Sequence, residues 1–321
     1  MVAASVTGLA ARRLTSGYTA AMVLLGVGVS LLPLMVSNYI LTFVLQALMA
    51  CALAGSWNLI SGFTGYVSFG HAAFFGLGAY AAGIAIAKAA VPAPVAIASA
   101  AIVAGCAGLC LGYPALRLRG PYFAVGMLGV AEALRVGITV AEPVTGGGRG
   151  LVMPPQDVLL PAYFSMLALV VLIVAITRAV ATRPVGLRLL AIREDEVAAE
   201  VTGIQTTRLK LVAFATSATL AGVAGGIYAW HMSYIDPTTV FAGSLTVRAI
   251  AMTMLGGQGT VFGPVIGSVV LSVIGEVTWA RFPFLHNAVS GALIVVIVLF
   301  IPRGVTGVLQ DRGVLPRSRT L

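Results

Sequence analysis

The chain has 321 residues, of which 59% are hydrophobic and 9% charged, against about 25% charged in a soluble domain. That composition excludes a soluble globular fold and leaves a polytopic membrane protein. A formal charge of +9 would suggest nucleic acid in a soluble chain, but here the basic residues sit beside the ends of apolar runs, as on the cytoplasmic side of membrane proteins. Lipid is therefore the expected surroundings, and no nucleic-acid partner is expected.

Taken in chain order, residues 1–17 read as a cytoplasmic N-terminal segment carrying Arg12 and Arg13, with nothing that looks like a cleaved signal. Ten apolar runs follow, close to the length that crosses a bilayer. They are Tyr18 to Val36, Tyr39 to Ser56, Gly70 to Lys88, Pro94 to Tyr113, Tyr122 to Val140, Pro161 to Arg178, Leu209 to Trp230, Ser244 to Leu255, Phe262 to Ala280 and Leu285 to Ile301. The eighth is short for a span. Residues 303–321 form a basic cytoplasmic tail. The expected fold is all-α: a transmembrane helical bundle of about ten spans over residues 18–302. Arg117, Arg119, the series from Arg178 to Lys210, and Arg303 to Arg319 then share one side with both termini, while Lys88, Arg149 and Arg281 lie on the other.

Within this pattern, the stretch SWNLISGFTGYVSFGHAAFFGLGAYAAG from Ser56 to Gly83 is broken by Gly62, Gly65, Gly70, Gly76, Gly78 and Gly83. So many glycines predict a broken or re-entrant segment rather than one helix. Irregular backbone survives at membrane depth only when buried in protein or lining a cavity. Ser61, Thr64, Gly65, Ser68, Gly70 and His71 are therefore candidates for a solute path. A second stretch, MLGGQGTVFGPVIG from Met254 to Gly267, repeats the rhythm and adds Gly256, Gly257 and Gly259. The two stretches suggest an internal duplication, with the path at corresponding places. His71 reads either as a donor on the path or as a structural histidine bonded to a freed backbone carbonyl. TGGGRG, Thr145 to Gly150, reads as a turn, a docking loop or an anion nest beside Arg149. Cys51, Cys106 and Cys110 lie inside spans without histidine or acid partners, as small packing residues do, and no metal is expected.

Residues 179–208 form the longer cytoplasmic loop. Arg193-Glu194-Asp195-Glu196 opens a charged helix in which Val197, Ala198, Val201 and Ile204 make an apolar face, and Gly203 supplies a stop. Such a helix is suited to a groove on another protein, although a solvated connector has the same pattern.

This loop resembles the coupling loop of ABC importer permeases, whose pattern is Glu-Ala-Ala, three residues, then Gly. Ala198, Ala199 and Gly203 hold three of its places, while Val197 replaces the usual Glu and Glu196 lies one residue early. GYVSFGHAAFFGLGAY, RLRGPYFAV, TGGGRGL, REDEVAAEVTGI, AFATSATLAGVAGGIYA and MLGGQGTVFGPVIG resemble, in order and spacing, the branched-chain amino acid permeases of the LivM type over roughly Tyr39 to Gly307. The resemblance implies a bacterial inner-membrane subunit working beside a LivH-like permease, two cytoplasmic ATPases and a periplasmic binding protein. It implies leucine, isoleucine and valine as solutes, and it extends to importers of urea, short amides and small carboxylates. Glu196, Ala198, Ala199, Glu200 and Gly203 become the ATPase-coupling residues.

The remaining residues bear on energy. Lys88 and Lys210 are the only lysines and neither follows Gly, so the phosphate-binding G-x-x-x-x-G-K-[ST] loop is absent. The chain is not expected to be an enzyme or to bind a cofactor, and ATP is expected to be used by partner subunits. An ion-coupled carrier would need intramembrane ionisable groups. Glu132 with Arg135, three apart on one helical face, and Arg248 and Glu276, placed near span ends, are a thin supply. An integral membrane enzyme would need a G-x-S-x-G, an H-E-x-x-H or paired intramembrane acids, which the sequence lacks.

Overall fold

The computed structural model describes residues 26, 28–281, 291–292 and 304–311. Helices dominate, most of them long. They are α1 (Asn38–Trp57, continued by a π turn Asn58–Gly62), α2 (His71–Ala89), α3 (Ala93–Ala115), α4 (Pro121–Val140), α5 (Leu159–Thr182), α6 (Pro184–Glu194), α7 (Glu196–Val201), α8 (Thr206–Met232), α9 (Gly243–Gly256), α10 (Gly263–Arg281) and α11 (Gly304–Asp311). Two two-residue strands, β1 (Leu151–Val152) and β2 (Tyr234–Ile235), pair antiparallel.

Among the described residues, seven helices are able by length and composition to cross a membrane: Asn38–Gly62, His71–Ala89, Ala93–Ala115, Pro121–Val140, Leu159–Thr182, Thr206–Met232 and Pro237–Gly256. Gly263–Thr278 is a shorter apolar helix. Each expected span from the second to the ninth coincides with one of these eight helices. About half of the expected first span and nearly all of the tenth lie outside the described residues. The eighth span is longer than its apolar run suggests, because a turn at Pro237–Val240, started by Asp236 accepting from the Thr239 N–H, precedes α9.

The glycines of the Ser56–Gly83 stretch divide into two kinds. Gly76, Gly78 and Gly83 do not break a helix, contrary to the expectation, because α2 runs unbroken from His71. There the missing side chain permits contact between helices: a Cβ on Gly78 would lie 2.0 Å from the carbonyl oxygen of Gly222 in α8. Close backbone approach of this sort is how helices associate in lipid, where burying apolar surface gives little drive. The α2–α3–α8 packing is accordingly lined with Gly and Ala. The actual break is confined to residues 65–70 and begins at Gly65, whose φ of +77° favours glycine.

Two ends of the bundle can be told apart. At one, called here the loop end, lie the C-terminus of α1, the break 65–70, α6, α7 and the α9–α10 connection, with Arg193 against Gly65 and Gly259. At the far end Lys88 donates to the carbonyl of Pro143 and the β1–β2 pair covers Gly83.

Candidate functional site

A cavity of about 400 Å³ opens between α1, α9 and α10, within the usual size range of small-molecule sites. Its walls are three helical stripes. Tyr39, Thr42, Gln46, Met49 and Leu53 descend α1, while Leu245, Arg248, Ala249 and Met252 descend α9 at helical spacing. From α10 come Ser272, Gly275 and Glu276. Toward the far end, the Tyr39 hydroxyl donates to Glu276 across the cavity lining. From Tyr39 to Leu53 the wall extends about 21 Å at about 1.5 Å per residue.

Immediately beyond Leu53 and Met252 the same two helices close. The Thr253 hydroxyl donates to the carbonyl of Ala54 at 3.0 Å. His71 Nε2 and Ser56 Oγ are 2.8 Å apart, Ser217 donates to the Ser56 carbonyl at 2.6 Å, and Trp57 Nε1 donates to Ser68 O at 2.9 Å. One turn further, at the π turn of α1, the two glycine-rich stretches meet. Asn58 Oδ1 accepts from the Gly259 N–H at 2.8 Å and Asn58 Nδ2 donates to Thr260 O at 2.9 Å. Gln258 Nε2 donates to Ser61 O at 2.9 Å, and Arg193 Nη1 donates to Gly62 O at 2.8 Å. The loosened turn exposes carbonyls that these side chains then satisfy, as π turns at functional positions often do.

The sequence-derived path residues are thus brought together, but as packed structure. Ser61, Thr64, Ser68 and His71 are each 1% exposed or less. None of them, and none of Gly65, Gly70, Gly256, Gly257 and Gly259, lines the cavity. Gly70 sits against the Met127 carbonyl, and a Cβ on Gly257 would meet Thr306 Oγ1 at 1.8 Å. His71 takes a serine hydroxyl as partner rather than the backbone carbonyl expected of a structural histidine. The Ser68 hydroxyl is buried without a partner among the described residues.

In the 179–208 loop, Asp195 caps α7 by accepting from the N–H groups of Val197 and Ala198. Glu196 faces inward. It accepts from Lys210 Nζ at 2.6 Å and from the Tyr66 hydroxyl at 2.5 Å. Lys210 also donates to Tyr66 at 2.9 Å, lies 4.4 Å from that ring's centre and reaches Leu116 O at 3.4 Å. Burial alone would raise the Glu196 carboxyl, but the hydrogen bonds from Lys210 and Tyr66 outweigh it and the group lies below its ordinary value. Burial, reinforced by Glu196, pushes the Tyr66 phenol upward.

Ala199 is buried with Phe63, Leu189 and Ile192, whereas Ala198, Glu200 and Gly203 are exposed and Val201 is 84% exposed. Of the expected apolar face, Val197, Ala198 and Val201 point outward together, and Ile204 packs inward. Gly203 has a φ of +86° and nothing within 4 Å of its missing Cβ.

The Tyr66–Glu196–Lys210 cluster was not foreseen. Its signal was a lysine one turn into an apolar span, where an unanswered charge is costly. Arg248, placed near a span end by its run, instead lies eleven residues after Pro237 and eight before Gly256 in the Pro237–Gly256 helix. Glu132 and Arg135 pair with each other, as their spacing allows. Cys51 is buried, and Cys106 and Cys110 are exposed.

A family described as "Branched-chain amino acid transport system / permease component" matches residues 35–298. The chain is 29% identical over 304 residues to the "High-affinity branched-chain amino acid transport system permease protein LivM" of Salmonella typhimurium, covering 85% of this chain and 71% of that one. The LivM protein of Escherichia coli K12 is 28% identical with the same coverage. The LivH permease protein of Salmonella typhimurium is 30% identical over 118 residues, covering 36% of this chain and 38% of that one. No solved structure matches.

Proposed function

The chain belongs to the family of the branched-chain amino acid transport system permease component, and from that membership we propose that it is the LivM-like permease subunit of an ABC importer. Its solutes are branched-chain amino acids. Its partners are a LivH-like permease, two cytoplasmic ATPases that use the ATP, and a periplasmic binding protein. The loop end is cytoplasmic, both termini lie on that side of the inner membrane after ten crossings, and the far end faces the binding protein. The charge asymmetry supports this orientation, since Arg178, Arg183, Arg188, Arg193 and Arg208 are all at the loop end.

The observation that carries the transport reading is the continuity of one path along α1 and α9. An open cavity at the far end ends at Leu53 and Met252, and the buried glycine junction continues it on the same helices. In this state the solute enters from the far end, and Ser61 to His71 with Gly256 to Gly259 form the closed inner gate. Hydrogen bonds made largely to backbone, across glycines, can be exchanged without unpacking large side chains. Arg193 joins that gate to α6, so displacement of the 179–208 loop acts on it directly. The outward face of α7, with Val197, Ala198, Val201 and Gly203, is the surface offered to the ATPase, and Glu200 lies at its edge. A helix, a glycine break and a returning helix occur twice, at 65–70 and 257–262, which supports the reading of an internal duplication.

Uptake of labelled leucine into cells or vesicles carrying the whole transporter tests the proposal. Import that stops when the partner ATPase loses its phosphate-loop lysine, and persists when the proton gradient is collapsed, is the expected result. Import that follows the proton gradient and ignores the ATPase overturns it.

A further inference from the structure

Three charge pairs lie in or beside the described spans, and they are arranged differently. Glu132 and Arg135 answer each other on the surface of α4, and Glu196 and Lys210 answer each other behind α7. Arg248 and Glu276 both line the cavity between α1, α9 and α10, but no ion pair joins them. Among the described residues Arg248 has no acidic partner, and Glu276 is met only by the Tyr39 hydroxyl. Intramembrane charge without a protein counter-charge is costly and marks a ligand or ion pathway. A carboxylate and a guanidinium on facing walls of one cavity present opposite charges across a gap.

Thr42, Gln46 and Ser272 add neutral polar groups to the walls, and Phe43, Met49, Leu53, Leu245 and Met252 supply an apolar surface that extends toward the floor. Resting on the transport reading above, we propose that this cavity is a binding station for the free α-amino acid. Arg248 takes the α-carboxylate through a charge-assisted, bidentate contact. Glu276, held by Tyr39, takes the α-ammonium, and the branched side chain lies toward Leu53 and Met252. Each charge of the zwitterion is then answered as it enters low dielectric, and solutes carrying only one charge leave a cavity charge unmatched.

The probe is a cysteine at Ala47, a half-buried wall residue, in the assembled transporter with Cys51, Cys106 and Cys110 replaced by Ala. Its reaction with a water-soluble methanethiosulfonate is followed with and without L-leucine. Leucine should slow the reaction at least fivefold, whereas 4-methylpentanoate and 3-methylbutylamine, which each keep one charged group, should not. Arg248→Gln should abolish protection, and Arg248→Lys should restore part of it, which a merely structural arginine would not do. Equal protection by leucine and by both analogues, or protection that survives both Arg248→Gln and Glu276→Gln, overturns the station. So does absence of protection in a preparation that still imports leucine on ATP. A wild-type transporter that hydrolyses ATP and imports no branched-chain amino acid overturns instead the transport reading on which the station rests.

Discussion

Replacing Lys210 with Met removes a cation that is 3% exposed and leaves the Glu196 carboxylate, 15% exposed, facing the Tyr66 hydroxyl alone. Removing one partner of a buried ion pair costs about 3–5 kcal/mol, because the other charge stays desolvated. Glu196 keeps some exposure and one strong donor, so the lower end applies, about 3 kcal/mol. At about 1.36 kcal/mol per decade, the population of α7 released from Tyr66 and α8 rises by about two orders of magnitude. Hydrogen exchange of the amides of residues 196–201, in the assembled transporter, reads that release directly. Lys210→Met should accelerate exchange there while leaving α2 and α3 protected, and import per ATP hydrolysed should fall. Adding Glu196→Gln should recover most of the protection, since no buried charge is then unmatched. If the single and double variants exchange alike, or neither differs from wild type, the ion pair does not hold α7 and the reasoning fails.

Two further outcomes follow from the same corner of the molecule. At Gly65, where φ is +77° and Arg193 Cγ would lie 3.1 Å from a Cβ, Ala should cost about 1–2 kcal/mol for left-handed backbone and Asn less; melting temperatures ordered Gly, Asn, Ala test this, and Ala equal to Gly refutes the assigned backbone. The pH dependence has two limbs. Glu196 lies below the ordinary 4.5, so its contribution is complete above that value and is lost as pH falls through the folded one. Tyr66 lies above the ordinary 10.0, so its contribution is complete below that value and is lost as pH rises toward the folded one. Protection of α7 should therefore be flat between 4.5 and 10.0, and Glu196→Gln should abolish the acid limb and shrink the alkaline one, since Glu196 supplies part of the Tyr66 shift.

What the sequence made legible depended on whether the deciding force was local. Span positions follow from hydropathy, which acts on each residue wherever its neighbours lie, and eight of them coincide with helices. The charged helix expected from Arg193 is instead divided at Asp195, which ends α6 and caps α7, while the stop expected at Gly203 follows α7 closely because a left-handed glycine acts within one turn. Glycine was ambiguous because it serves two ends with one residue. Gly65 permits a backbone turn, while Gly78 permits contact with Gly222, 144 positions away in the chain, and only the partner distinguishes them. Long-range pairing also hid the roles of charge. Glu196 reads as an exposed coupling residue until Lys210 and Tyr66 are placed beside it, and Arg248 reads as an interfacial snorkel until the turn at Pro237 lengthens its helix. The same effect separated the expected path residues from the cavity. Glycine rhythm locates the closed junction, where backbone must pack against backbone, whereas the open cavity is lined by ordinary helical stripes. Such stripes differ from purely apolar ones in the polar groups they carry, Thr42, Gln46 and Ser272 beside Arg248 and Glu276, so the charges that looked too few for an ion relay are among the residues that mark the cavity.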